Sequence, residues 1–140
     1  MKILVITALV TVASIAAKGT DPTWEKNLSL ITQNLALGMN TIEVITVLGD
    51  NFAMVTNMMD NTEVWRYDFT TEPEYIFSVP AHEDEVDTEG LRSGIMRMQV
   101  FVEWDGSGLL GNYTVYTGSG NGVISEYRVF ADGTVRKSRF

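Results

Sequence analysis

The chain has no cysteine, one histidine and three prolines among 140 residues. Without cysteine there is no disulfide, no thiolate metal site, no thiol nucleophile and no Cys-linked lipid anchor. The single imidazole, His82, has no second one near it, which leaves a transition-metal centre short of ligands. Basic residues are outnumbered, 10 Lys and Arg against 18 Asp and Glu, for a formal net charge of −8. Such a surface repels phosphate backbones, and no basic stripe offsets it, which excludes nucleic acid as an expected partner. Catalytic signatures are missing as well. There is no G-x-S-x-G elbow, P-loop, H-E-x-x-H or dinucleotide fingerprint. His82 lies in a polar stretch that would neither orient nor desolvate it for a Ser–His–Asp triad. Carboxylate pairs are so common in this chain that they discriminate nothing. The sequence therefore points to a protein that is not an enzyme and uses no cofactor and no metal.

What is present describes a folded domain. Hydrophobic residues make up 45% and charged residues 20%, well away from the composition of a disordered chain. The length suits one domain. Lys2 followed by the apolar run Ile3 to Ala17, with small residues at Ser14 and Ala16, reads as a secretory signal cut after Ala16 or Ala17. The run is short of the roughly 20 residues that span a bilayer. An uncleaved membrane anchor is the alternative. The expected layout is a signal peptide over 1–17 and a single domain over 18–140, held together by its core alone.

Within that domain, Asp21-Pro22 opens a helix whose apolar stripe is Trp24, Leu28, Ile31 and Leu35, with Asn27, Gln33 and Asn34 mostly opposite. Gly38 supplies a tight connection. Asn40 and Glu43 form a capping box, and Met39 and Val44 are spaced as a hydrophobic staple. Val44, Val47 and Leu48 make the next stripe, stopped at Gly49. Asp50 to Asn61 reads as a connector with Phe52, Met54, Met58 and Met59 as anchors onto the core. The period then changes to two: Trp65, Tyr67 and Phe69 share one face of a strand, with a short continuation at Tyr75 to Val79. His82 to Gly90 carries five acids and reads as a solvated loop. A calcium loop is the functional alternative, but the EF-hand order of ligands is missing. Met96 to Trp104 begins a meander of four strands, turned at Asp105–Gly108, Gly118–Gly122 and Asp132-Gly133. Helices followed by antiparallel strands imply an α+β two-layer domain, with an N-terminal helix pair packed on an antiparallel meander sheet.

One set of residues goes beyond this grammar. Leu35, Gly38, Met39, Val44, Leu48 and Gly49, then Trp65 and Tyr67, then Phe130, Asp132, Gly133 and Val135, follow the order of a known family. The pattern resembles the small outer-membrane lipoproteins called SmpA/OmlA, or BamE-like, whose fold is shared by β-lactamase-inhibitor repeats. The resemblance runs from about Trp24 to Lys137. Three departures stand out: no lipobox cysteine, no proline after the Leu48-Gly49 stop, and an insertion with an extra strand pair around 80–94. The resemblance implies a module that presents surfaces to other proteins of the cell envelope, exported and periplasmic or envelope-associated, but not lipid-anchored. Membrane contact would come only by proximity or through an uncleaved N-terminal segment.

The pleat suggests where such a partner would bind. With Trp65, Met98, Val100, Trp104, Tyr113 and Tyr127 toward the helices, Phe101, Tyr116, Ile124 and Phe130 go to the other face. Aromatics on a water-facing sheet surface are candidate partner contacts. The alternative is that they only pair across strands. Gly38, Met39, Asn40, Glu43, Val44, Leu48, Gly49, Trp65, Tyr67, Asp132 and Gly133 are expected to be scaffold. Two other functions stay open. A secreted inhibitor of the β-lactamase-inhibitor type would use a protruding loop, Glu83 to Glu89 or Gly118 to Gly122. A small-ligand or lipid-binding domain would need a pocket between helices and sheet.

Overall fold

The computed structural model describes residues 23–78 and 84–140, with side chains from Asn27 onward. The expected signal peptide, the Asp21-Pro22 helix start, the Trp24 side chain, and Val79, Pro80, His82 and Glu83 lie outside the described residues.

Helix α1 spans Thr23–Asn34 and buries Ile31 against the core, with Leu35 just beyond its end. Asn27 corrects the expected polar face, since it is only 2% exposed. The physical reason is spacing: Asn27 precedes Ile31 by four residues, so it sits on the flank of the apolar stripe. Helix α2 spans Thr41–Leu48 and starts as the sequence implies. The Asn40 side chain accepts from the Glu43 amide at 2.8 Å, and the Asn40 amide donates to Glu43 Oε1 at 3.1 Å. Gly49 closes the helix at φ 94°, a conformation that a side chain would strain.

The expected N-terminal helix pair does not form as a distinct unit. The linker between the helices is held by the sheet instead. Gly38 N–H donates to the Leu110 carbonyl at 2.9 Å, and Leu110 N–H donates to the Met39 carbonyl at 2.7 Å. These bonds fix the linker to the start of the strand at Leu110. The two helices therefore meet through the shared core.

Six strands form one antiparallel meander, each paired with its neighbours in sequence: β1 Ala53–Thr56, β2 Glu63–Thr70, β3 Met96–Trp104, β4 Leu110–Gly118, β5 Ile124–Val129 and β6 Val135–Arg139. Strand β1 occupies part of the expected connector. Its neighbour Phe52 does anchor, stacking on Trp65 with ring centroids 3.8 Å apart. The helix face of the sheet carries Trp65, Tyr67, Met98, Val100, Val102, Tyr113 and Val115. Tyr67 also donates its hydroxyl to the Gly49 carbonyl at 2.9 Å, joining the end of α2 to the sheet.

The opposite face is covered too. Residues 71–78 and 84–94 lie across it and bring Tyr75, Phe77, Val86 and Leu91 onto Phe101, Tyr116 and Ile124. The expected strand continuation from Tyr75 is absent through Ser78. In place of an extra strand pair, the described part of the insertion holds a short helix, α3, Thr88–Ser93. A register shift at Phe69/Thr70 turns Met96 away from Met98 and into this second cluster. The domain is α+β, with its sheet covered on both faces.

Candidate protein-binding surface

The structure moves the expected partner surface into the interior. Phe101, Tyr116 and Ile124 are on the predicted face of the sheet, but they are 6%, 7% and 0% exposed. The Phe101 and Tyr116 rings meet edge to face beneath the covering segment. They cannot present themselves as surface. Only Phe130 remains outside, with the guanidiniums of Arg128 and Arg136 over its ring at 6.0 and 5.4 Å. Of the residues read as scaffold, Val44, Leu48, Trp65 and Tyr67 are in the core, Met39 packs against it, and Asp132-Gly133 turn the last hairpin.

The acidic stretch also departs from the solvated loop read in the sequence. Asp87 is 3% exposed and caps α3, accepting from the Gly90 amide at 2.9 Å and from the Tyr75 hydroxyl at 2.6 Å. Its own amide donates to Gln99 Oε1 at 2.9 Å. Gln99 in turn donates to Asp68, which holds Arg66 through paired bonds of 3.0 and 2.8 Å. Arg66 reaches the Phe77 carbonyl at 3.2 Å and lies over the Phe77 ring. Burial, then the bond to Asp87 and the nearby carboxylates, push the Tyr75 hydroxyl up to about 12. It therefore stays a donor throughout the physiological range. This network fastens the covering segment to the sheet. The sequence did not show it, because Tyr75 and Phe77 read as a strand continuation and Val86 and Leu91 as part of an acidic loop insertion. Apolar Tyr75 and Phe77 before the acidic insertion, and Val86 and Leu91 within it, are the signal that this segment has a surface to cover.

Both loops expected to protrude touch other segments among the described residues, although Ser119 to Gly122 are exposed. Gly118 packs against the Leu91 backbone, and Gly120 approaches Ser93. Asp84 turns toward another loop, accepting from the Met58 amide at 3.4 Å.

That other loop, between β1 and β2, exposes apolar side chains, as Ile42 and Ile76 do elsewhere in the described residues. Met58 is 59% exposed and Met59 is 93% exposed, so these residues are not core anchors. Met54 on the adjoining strand is 58% exposed. The backbone beneath them is tightly held. Asn57 N–H donates to the Thr62 carbonyl and Asn61 N–H to the Asn57 carbonyl, both at 2.8 Å. Met59 N–H donates to Asn57 Oδ1 at 2.8 Å, and Thr62 donates twice to Asp60 Oδ1. These bonds from Thr62 hold the Asp60 carboxyl below its usual value. Asn61 adopts φ 61°, which asparagine tolerates better than most residues. Asn57 Nδ2 ties the loop to Glu103 on β3 at 2.8 Å. Burial pushes the Glu103 carboxyl up, with Asp60 and Asp84 adding to the rise and the Asn57 bond opposing it.

On the sheet's far edge a second charged set gathers. Burial alone would raise the Glu126 carboxyl, but bonds from Arg128 at 3.1 Å and Arg136 at 3.0 Å, with Tyr116, hold it below its usual value. A lowered carboxyl gives up its proton more readily in the native state than in the unfolded one. Its stabilisation is therefore full above the ordinary value of 4.5 and fades as pH falls through the native value. Glu126→Gln is expected to cost about 1–2 kcal/mol at neutral pH. In urea unfolding, the gap between variant and wild type should shrink steadily below pH 4.5.

A groove of about 570 Å³ opens between α1 and strands β5 and β6, lined by Leu28, Ser29, Thr32, Tyr127, Lys137 and Arg139 among others. Among the described residues, no helix is long and apolar enough to cross a membrane, and no group of three or more His, Asp or Glu is set to hold a metal ion. No protein-family profile, no curated protein and no solved structure matches this chain.

Proposed function

We propose that this chain is an exported, non-enzymatic module of the cell envelope that binds a protein partner, and that it meets that partner with Met58 and Met59. The observation that carries this reading is a pair of exposed methionines on a loop whose backbone is held by its own hydrogen bonds. Exposed apolar side chains gain most from burial, and a preordered loop loses little freedom when it docks. Unbranched methionine fits itself to irregular pockets. The BamE-like pattern of residues 35–49, Trp65, Tyr67 and 130–135 supports a surface-presenting role, and an α+β domain with an antiparallel sheet is the scaffold such a role implies.

A secreted enzyme inhibitor is the second reading. It is favoured by the same loop, since a compact rigid tip is what an inhibitor inserts into a cleft. Both readings share one test. Met58→Ser with Met59→Ser removes the apolar tip without touching the core, and should change unfolding free energy by under about 0.5 kcal/mol. Capture of the envelope partner that wild type retains should fall at least about tenfold, consistent with losing two buried side chains. A folded double variant that keeps the partner would overturn the proposal.

A further inference from the structure

Strand β6 ends the sheet and, among the described residues, pairs only with β5. Its hydrogen-bond phase can be read from one pair. Ile124 and Phe140 exchange both backbone bonds, at 2.8 and 2.9 Å. Counting by twos along the ladder, Glu126 with Ser138 and Arg128 with Arg136 are the bonded pairs. The backbone N–H and C=O groups of Val135, Lys137 and Arg139 therefore point away from β5, toward the open edge.

The side chains at this edge carry one sign of charge. Val135–Arg139 holds three cations and no acid, in a chain whose net charge is −8. Lys137 and Arg139 lie on the helix side of the sheet, opposite Tyr127 and Ser125, and line the groove beside α1. Lys137 Nζ sits 5.9 Å from the Tyr127 ring centroid. Arg136 faces the other side and is held by Glu126. Two β6 edges repel each other, so this edge resists pairing with its own copy. The same charges attract a strand of opposite sign.

We propose that β6 accepts an extended acidic segment of a partner protein as a seventh, antiparallel strand. Residues of that segment that bond to Lys137 and Arg139 put their side chains on the same face as those cations. The segment therefore carries carboxylates two residues apart, and the groove beside α1 receives them. The surface lies at the opposite edge of the sheet from Met58 and Met59, so the two contacts are independent.

The test uses the full chain and a short acetylated peptide of alternating Thr and Glu, followed by NMR titration and amide hydrogen exchange. Binding should slow exchange at the Lys137 and Arg139 amides and leave the Met58 and Met59 signals unchanged. Lys137→Gln with Arg139→Gln, both exposed positions, should leave the fold intact and weaken binding at least about tenfold. N-methylation of the Glu residues removes the N–H groups that face β6, and should abolish binding. N-methylation of the Thr residues, which face outward, should not. Equal binding by the Glu-methylated peptide would show that charge attraction alone is at work and would overturn the proposal. So would equal binding by a Thr–Lys peptide, or no binding at millimolar concentration.

Discussion

Replacing Gly118 with alanine should lower the unfolding free energy by about 3 kcal/mol, read as a fall in the urea midpoint at constant slope. A methyl at Gly118 would collide with the Leu91 carbonyl oxygen, with Leu91 C at 2.6 Å and Leu91 Cα at 2.9 Å. All three atoms are backbone of α3, so no side chain can swing aside. The helix must lift, and with it Leu91, which is fully buried against Phe101, Tyr116 and Ile124. Apolar surface is then exposed on the far face of the sheet while the helix-side core is left intact. Binding of a hydrophobic dye to the folded variant would detect this. Gly106→Ala is the control. It meets nothing within 4 Å and should change stability by under about 0.5 kcal/mol.

The second large effect is expected at Asp87. Asp87→Ala removes the cap of α3 and the acceptor of the Tyr75 hydroxyl together. Losing the cap costs about 1 kcal/mol, and leaving the half-buried hydroxyl without a partner adds about 1–2. Asp87→Asn keeps the cap and should cost about 1 kcal/mol. Tyr75→Phe removes only the other half of the bond. A double-mutant cycle of Asp87→Ala with Tyr75→Phe should give a coupling of about 1 kcal/mol. Coupling near zero would mean that the network does not fasten the covering segment.

Both results concern the part of the fold that the sequence hid. The capping box at Asn40 and Glu43 was legible because it is local: its partners are three residues apart. The sheet's helix face was legible because Trp65, Tyr67, Val100 and Val115 alternate cleanly. The far face was harder, since Arg66, Asp68 and Gln99 alternate with apolar residues there and read as water-facing. They are instead held by a segment from elsewhere in the chain, with Phe77 eleven residues and Asp87 twelve residues from their partners. No local pattern encodes such a contact. The exposed methionine loop escaped notice for a related reason. Met58 and Met59 look like core residues by type, but they fall in the loop between β1 and β2 at the sheet edge, where they are exposed. Phe101 and Tyr116 suffered the reverse error. Serine substitutions there would test folding, not binding.

We propose above that Met58 and Met59 are where this protein meets its partner. A photo-crosslinking residue placed at Met59, 93% exposed, and in a second sample at Ile42, 73% exposed on α2, tests it directly. Position 59 should give one dominant adduct with an envelope polypeptide. Excess wild type should compete it away, and the Met58→Ser, Met59→Ser protein should not. Position 42 should give no such adduct. The same adduct from both positions, or none from position 59, would mean that the partner does not bind through Met58 and Met59.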